Sequence, residues 1–228
     1  MTRHLERGIE KLKKELLSIS ALVEEAVYKA LRAVSERNPE LAASVLAGDL
    51  EIDDREVEVE EQCLQVLALN QPVADDLRFI IAVLKMNNDL ERIGDLAVNI
   101  AQRVNWLVKI KPPAPGLDFE VMAEKVKAML HNSINALINL DLNLAGEIMA
   151  SDDEIDRLNR EKVSEVQSRI EKNPNHTETM LCLLGVGRAL ERIADHCTNI
   201  AEDVVYLVQG DIVRHKEGRS KKKGKGTQ

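Results

Sequence analysis

Apolar residues recur at intervals of three and four positions along most of the chain, from Leu5 to Leu207. This spacing places them on one face of an α-helix, because an α-helix has about 3.6 residues per turn. Asparagines and prolines interrupt the pattern and mark the helix ends. The pattern predicts six helices, at about residues 5–36, 39–68, from the break at 70–72 to 108, 119–140, 141–171 and 177–208.

A proline-rich segment divides these helices into two groups of three. Residues 111–117 contain three prolines and a glycine, which are typical of a linker. Short connections between long amphipathic helices favour antiparallel packing. We therefore predict an all-α fold of two tandem antiparallel three-helix bundles, in residues 1–110 and 118–210. Residues 211–228 carry seven Lys or Arg and two acids among Gly and Ser, and we expect a basic disordered tail there.

An internal repeat supports the two-bundle prediction. Residues 90–101 match residues 190–201 at eight of twelve positions, and residues 41–53 resemble residues 144–156. The two offsets, 100 and 103 residues, agree with duplication of a three-helix unit.

Composition and charge exclude several classes of protein. Aromatic residues form 2% of the chain and hydrophobic residues 44%, a balance typical of helix packing rather than of β-sandwiches. No segment approaches the roughly 20 apolar residues of a membrane-spanning helix, and the N-terminus lacks the apolar core of a signal peptide. Three dispersed cysteines indicate reduced thiols, so we expect a cytoplasmic protein. The net charge is −8, and −13 for residues 1–210, which opposes broad binding of nucleic acid.

Acidic pairs with i,i+4 spacing occur at matching positions of the two repeats. This spacing projects both carboxylates from one helix face. On a helical wheel these faces lie away from the apolar stripe, so we expect no buried polar network. An asparagine follows the second pair of each repeat. The candidate metal ligands are Asp49, Asp53, Glu91, Asp95 and Asn99 in the first repeat, and Asp152, Asp156, Glu191, Asp195 and Asn199 in the second.

Two interpretations of these pairs remain open. Composition alone yields roughly six or seven such pairs, so a single pair indicates only a solvated face. Repetition at matching positions favours a cation site, since like charges at this spacing destabilise a helix by roughly 0.2–0.5 kcal/mol per pair. Carboxylate oxygens suit hard cations. Glu56 and His196 are accessory candidates, and Asn159 stands where the first repeat has Glu56, so we expect fewer anionic ligands in the second site.

Two motifs carry a family resemblance. Gln71-Pro72-x-Ala74-x-Asp76-Leu77-Arg78 is followed by Leu90-Glu-Arg-Ile-Gly-Asp-x-Ala-x-Asn-Ile-Ala. Together they resemble the PhoU family of phosphate-uptake regulators over about residues 5–210. The second repeat keeps Glu191-Arg-Ile-Ala-Asp195 but lacks the Gln-Pro motif, and the basic tail extends beyond the resemblance.

The resemblance implies a fold and a function. The two bundles would be related by a pseudo-two-fold axis. The protein would be a cytoplasmic, non-catalytic regulator that represses the phosphate-starvation response with a phosphate ABC transporter and a membrane sensor kinase. The acidic pairs would hold multinuclear metal clusters, with iron as the first expectation and other metals as alternatives. We also expect a homodimer.

Two other functions compete with this one. An enzyme is disfavoured because the sequence has neither a Gly-rich phosphate loop nor a histidine paired with a nucleophile. A metal-free helical scaffold that binds partners through its acidic faces is the alternative. The basic tail is interpreted either as a solubilising terminus or as a peripheral contact with anionic lipid.

Overall fold

The computed structural model describes residues 3–110 and 116–210. The described part contains six α-helices and one short 3-10 helix, and it contains no β-strand. The helices are α1 (Arg3–Glu36), α2 (Pro39–Asn70), α3 (Ala74–Leu107), α4 (Glu120–Asn139), α5 (Leu142–Lys172) and α6 (Thr177–Gln209), with the 3-10 helix at Pro174–His176. The all-α prediction is confirmed, and each predicted helix end lies within about two residues of the observed one.

Side-chain caps fix two of the helix starts. The Asn38 side chain accepts hydrogen bonds from the backbone N–H groups of Glu40 and Leu41, at 3.0 and 3.1 Å. Asp141 caps α5 in the same way, at 2.9 and 3.1 Å from the next N–H groups. These bonds satisfy donors that have no partner inside the helix. The short polar residues at these two breaks therefore determine where α2 and α5 begin.

The six helices form two bundles that pack through their last helices. Helices α1, α2 and α3 contact one another, as do α4, α5 and α6. The principal contact between the bundles is that of α3 with α6, and α1 also touches α4. Helices α2 and α5 lie on the outside and do not contact each other. The predicted tail at 211–228 and residues 111–115 of the predicted linker fall outside the described residues.

Paired contacts across the α3–α6 interface reflect the internal duplication. Lys85 of α3 lies beside Asp203 of α6, with Nζ and Oδ1 3.2 Å apart. The repeat counterparts of these two positions are Gly185 and Arg103, and they also meet, because the Arg103 guanidinium occupies the space beside Gly185. The first half of each helix therefore packs against the last turns of the other, so α3 and α6 are antiparallel. This arrangement agrees with the expected pseudo-two-fold relation.

The described helices and the three cysteines bear on two further expectations, the absence of a membrane span and the presence of reduced thiols. None of the described helices has an uninterrupted apolar stretch of the length that a membrane span needs. Cys63, Cys182 and Cys197 are free thiols. Burial is the main cause that raises the pKa of Cys63 to about 12, so its thiol stays protonated at neutral pH.

The buried side chains of α6 should contribute strongly to stability. Ile193 of α6 is completely buried, so Ile193→Ala should lower the free energy of unfolding by about 2–5 kcal/mol. Ile138→Ala is the matched control, because Ile138 is 42% exposed and its truncation should cost about 0.5 kcal/mol or less. Urea denaturation of both variants measures the difference, and equal losses would contradict the burial of Ile193 in the core.

Candidate metal-binding site

The first set of candidate ligands lies along the contact between α2 and α3. On α2, Asp49 and Glu56 are spaced by seven residues from the buried residues Ala42 and Cys63. Positions seven apart lie on nearly the same side of a helix, so these two acids lie on the buried side of α2, and both are half-buried. The first acidic cluster comprises Asp49, Asp53 and Glu56 of α2 with Glu91 and Asp95 of α3.

The charges of the two helices interact in this cluster. The pKa of Asp49 lies above its usual range, mainly because burial removes water from the carboxylate, and further because Asp53 and Asp95 are negative. Burial also raises the pKa of Glu91, and the charges of Asp95, Glu56 and Asp53 add to the rise. The predicted acids are therefore brought together across the helix contact. Asp53 and Asp95 remain exposed to water.

A buried asparagine that sequence reasoning missed holds Glu56 in place. The Asn87 side-chain N–H donates to the backbone carbonyl of Glu56 at 2.8 Å and to its Oε1 at 3.3 Å. Burial, followed by the charges of Glu60 and Asp53, raises the pKa of Glu56. Asn99, in contrast, donates to the backbone carbonyl of Asp95 at 3.0 Å, so its amide nitrogen is engaged with its own helix.

The second acidic cluster comprises Asp152 and Asp156 of α5 with Glu191 and Asp195 of α6. The pKa of Asp152 is raised to about 6, mainly by burial and further by the negative charges of Asp195 and Asp156. The pKa of Asp195 is also raised, by burial and by Asp156, although His196 and Arg192 oppose the shift. The same helix contact is thus acidic in both repeats.

The second cluster differs from the first in one buried residue. Asn159 occupies the position of Glu56, and its side-chain N–H donates to Glu191 Oε2 at 2.6 Å. Gly187 occupies the position of Asn87, and a Cβ at that glycine would lie 2.9 Å from Asn159 Oδ1. The missing side chain therefore makes room for Asn159. This asparagine is buried, so the second face is not solvated throughout.

Two of the predicted residues are directed towards α3 instead of α5. His196 Nδ1 lies 2.7 Å from Asp89 Oδ1, and the Asn199 side-chain N–H donates to the same oxygen at 3.2 Å. Asp89 is buried between the two bundles. The amide nitrogen of Asn199 and one ring nitrogen of His196 are thereby occupied. Sequence reasoning missed Asp89, whose repeat counterpart is the apolar Ala189.

The donor chemistry of the clusters fits a hard cation. Each provides four or five carboxylates, and the raised pKa values reflect burial first and mutual repulsion second, both of which a cation would offset. The side-chain oxygens of Asn87 and Asn159 are buried and lack hydrogen-bond partners, so each cluster also has an unpaired neutral oxygen. As the side chains stand, however, no group of three or more His, Cys, Asp or Glu in residues 3–110 and 116–210 is arranged to hold a metal ion. Complete coordination would require torsional changes in these side chains.

The fold and the clusters together define a duplicated all-helical protein with one acidic cluster in each repeat. The family model described as PhoU domain matches residues 16–104 and again residues 119–204. The chain therefore belongs to the PhoU domain family, as the sequence motifs indicated.

Individual relatives match nearly end to end. The chain is 38% identical over 215 residues to the phosphate-specific transport system accessory protein PhoU homolog of Aquifex aeolicus, and the match covers 94% of this chain and 97% of the relative. The crystal structure of PhoU from Pseudomonas aeruginosa is similar with a TM-score of 0.87 and 33% identity, covering 90% of this chain and 99% of that chain. The phosphate transport system regulatory protein PhoU from Streptococcus pneumoniae gives a TM-score of 0.83 at 28% identity, covering 92% and 99%.

The raised pKa of Asp152 predicts a dependence of stability on pH. Because this pKa is about 6 in the folded protein against an ordinary value of 3.8, folding takes up a proton between these pH values. The contribution of Asp152 to stability is therefore full below about pH 4 and is lost as the pH rises through about 6. Asp152→Asn should stabilise the metal-free protein by about 1 kcal/mol above pH 6, since solvent screens a half-buried group, and by much less near pH 4.

Urea denaturation in the presence of a chelator, from pH 4.5 to 7.5, measures this difference. Asp54→Asn is the control, because Asp54 is exposed on α2 outside both clusters. The electrostatic account of the second cluster is wrong if the two variants show the same pH profile.

Proposed function

We propose that this chain is a non-catalytic regulator of phosphate uptake. It would repress the phosphate-starvation response through contacts with a phosphate ABC transporter and a membrane sensor kinase. The observation that carries the proposal is the match to relatives named as phosphate transport accessory proteins over almost their whole length. The double occurrence of the PhoU domain supports it, since both repeats are present in this chain.

The location of the titratable groups favours binding over catalysis. Asp53 and Asp95 are exposed on helix faces, whereas catalytic carboxylates work best in sites that exclude water. An open face with several carboxylates is suited to holding cations and to contacting other macromolecules. We therefore assign the clusters a binding role within the proposed regulator.

The proposed ligand of each acidic cluster is a multinuclear metal cluster, with iron as the first candidate and other divalent metals as alternatives. The ligands would be Asp49, Asp53, Glu91 and Asp95 in the first repeat, joined by the Asn99 oxygen, and Asp152, Asp156, Glu191 and Asp195 in the second. The Asn199 oxygen would join the second set only after its side chain had turned away from Asp89. Glu56 would assist in the first cluster, while His196, held by Asp89, would support the second only indirectly, by fixing α6 against α3. Bound cations would reverse the local potential and so change what the face can attract.

Metal analysis tests this part of the proposal. Protein purified without chelator or affinity metal should contain several equivalents of iron or another transition metal, measured by mass spectrometry. Glu91→Ala/Asp95→Ala should remove more metal than Glu191→Ala/Asp195→Ala, because the second cluster has Asn159 in place of a carboxylate. Each variant loses two negative ligands at one cluster only.

The matched control is Glu120→Ala/Glu124→Ala, which removes an i,i+4 acidic pair on the exposed face of α4. It should retain the full metal content. If all variants bind equally, or if none binds metal after reconstitution, the metal proposal fails.

The metal-free scaffold is the second candidate function. It is favoured by one observation, namely that the described side chains do not converge on a complete metal site. In that case the acidic faces would bind partners directly. The expected homodimer is also a proposal, and sedimentation velocity tests it. The contact of the basic tail with anionic lipid is another, and liposome co-sedimentation tests that.

Regulation itself is tested in the organism that encodes the chain. Deleting the gene should raise a phosphate-starvation reporter in high-phosphate medium, and a plasmid copy should restore repression. A plasmid copy with Glu120→Ala/Glu124→Ala should also restore it. The regulatory proposal fails if the deletion leaves the reporter and the rate of phosphate uptake unchanged.

A further inference from the structure

An uncovered apolar row runs along the outer side of α2. Leu50, Val57 and Leu64 are 72%, 50% and 54% exposed. Their spacing of seven residues places them almost in line, over about 21 Å of helix. In the described part of the chain α2 contacts only α1 and α3, so this row, the α2 apolar stripe, is not covered by another helix.

The second repeat provides an internal comparison. The positions equivalent to the stripe on α5 are Asp153, Arg160 and Gln167, and all three are exposed. The duplicated bundle therefore folds with polar residues at these positions. Single exposed apolar residues are common on protein surfaces, but three aligned ones in one repeat only point to a binding surface.

Acidic residues border the stripe on both sides. Asp53 and Asp54 follow Leu50 by three and four residues, and Glu60 and Glu61 follow Val57 in the same way. Residues at these spacings are neighbours on the helix surface. Helix α2 contains nine acids and one arginine, whereas α5 contains eight acids and five basic residues. The stripe is thus an apolar row between two negative rows.

We propose that the α2 apolar stripe is a docking surface for a basic amphipathic helix of a partner protein. Such a helix would place apolar side chains against Leu50, Val57 and Leu64, and its Lys or Arg residues would face the bordering acids. Packing of apolar rows with flanking opposite charges is the recognition mode of paired helices. This inference does not depend on metal binding.

Charge complementarity selects this occupant over two others. A second copy of the chain would bring the acidic borders of two α2 helices together, and like charges at such an interface oppose association. The basic segment at 211–228 of this chain has only two large apolar residues, Ile212 and Val213, and they are adjacent. It does not provide apolar residues at intervals of seven.

Binding of a designed peptide tests the proposal. The probe is a labelled three-heptad helical peptide with leucine along one face and lysine on either side, titrated with the full chain in chelator and followed by fluorescence anisotropy. Leu50→Gln/Val57→Gln/Leu64→Gln should weaken binding at least tenfold while leaving every charge in place. Asp54→Lys/Glu61→Lys should also weaken binding and reduce its dependence on salt. Circular dichroism and urea denaturation check that the variants fold.

The controls separate the stripe from other attractions. Leu181→Gln removes an equally exposed apolar residue of α6 and should leave peptide affinity unchanged. Equal binding by the triple glutamine variant overturns the proposal. A lysine peptide without leucines that binds equally well also overturns it, because net charge alone would then account for binding. Self-association of the wild-type chain that the triple variant abolishes would identify a second copy as the occupant instead.

Discussion

The antiparallel packing of α3 against α6 is the constraint on which the arrangement of both sites depends. Each three-helix unit has one helix that must cover apolar surface on two sides, towards its own bundle and towards the other. Ile93 and Ile193, at equivalent positions, are both completely buried. Because the bundles meet mainly through α3 and α6, α2 packs only within the first bundle and α5 only within the second, and the two do not touch. The two acidic clusters are therefore separate sites, and no carboxylate of α2 can be shared with α5.

The two clusters differ in how many charges of each sign they contain. In the second repeat, Asn159 replaces a carboxylate and donates to Glu191, and Arg160 lies 3.5 Å from Asp156. The first repeat has Glu56 and Val57 at the corresponding positions, so it has one more negative charge and one fewer positive charge. Like charges that are partly buried are costly unless they are compensated. The first cluster therefore has the larger net negative charge, whereas the largest rise in a carboxylate pKa is that of Asp152 in the second cluster, where burial is the main cause.

Much of the fold, but less of the site, could be predicted from the sequence. Helix boundaries depend on local chemistry, such as the Asn38 cap, and periodicity therefore predicts them well. The acidic clusters could be predicted because the repeat places equivalent pairs on adjacent helices. The contacts of Asn87 with Glu56 and of Asp89 with His196 could not, since they join residues 31 and 107 positions apart and depend on side-chain torsions. The exposure of the α2 apolar stripe could not be predicted either, because periodicity alone does not distinguish an exposed leucine from a buried one.

Helix α2 presents three different surfaces within a few turns, and they cannot act independently. Val45, Ile52 and Val59 face the core, the carboxylates that begin with Asp49 face α3, and the apolar stripe faces outwards. Asp53 borders both of the last two surfaces, because it belongs to the first acidic cluster and lies beside Leu50 and Val57. A cation held by Asp53 would reduce the negative charge that attracts a basic helix, and so would lower the affinity for that helix. Thermodynamic linkage requires that the bound helix lower the affinity for the cation by the same factor. Repeating the peptide titration with metal-loaded protein measures this coupling, and an unchanged affinity would mean that the two surfaces work separately. A regulator built in this way would couple the charge of its first acidic cluster to its affinity for a partner.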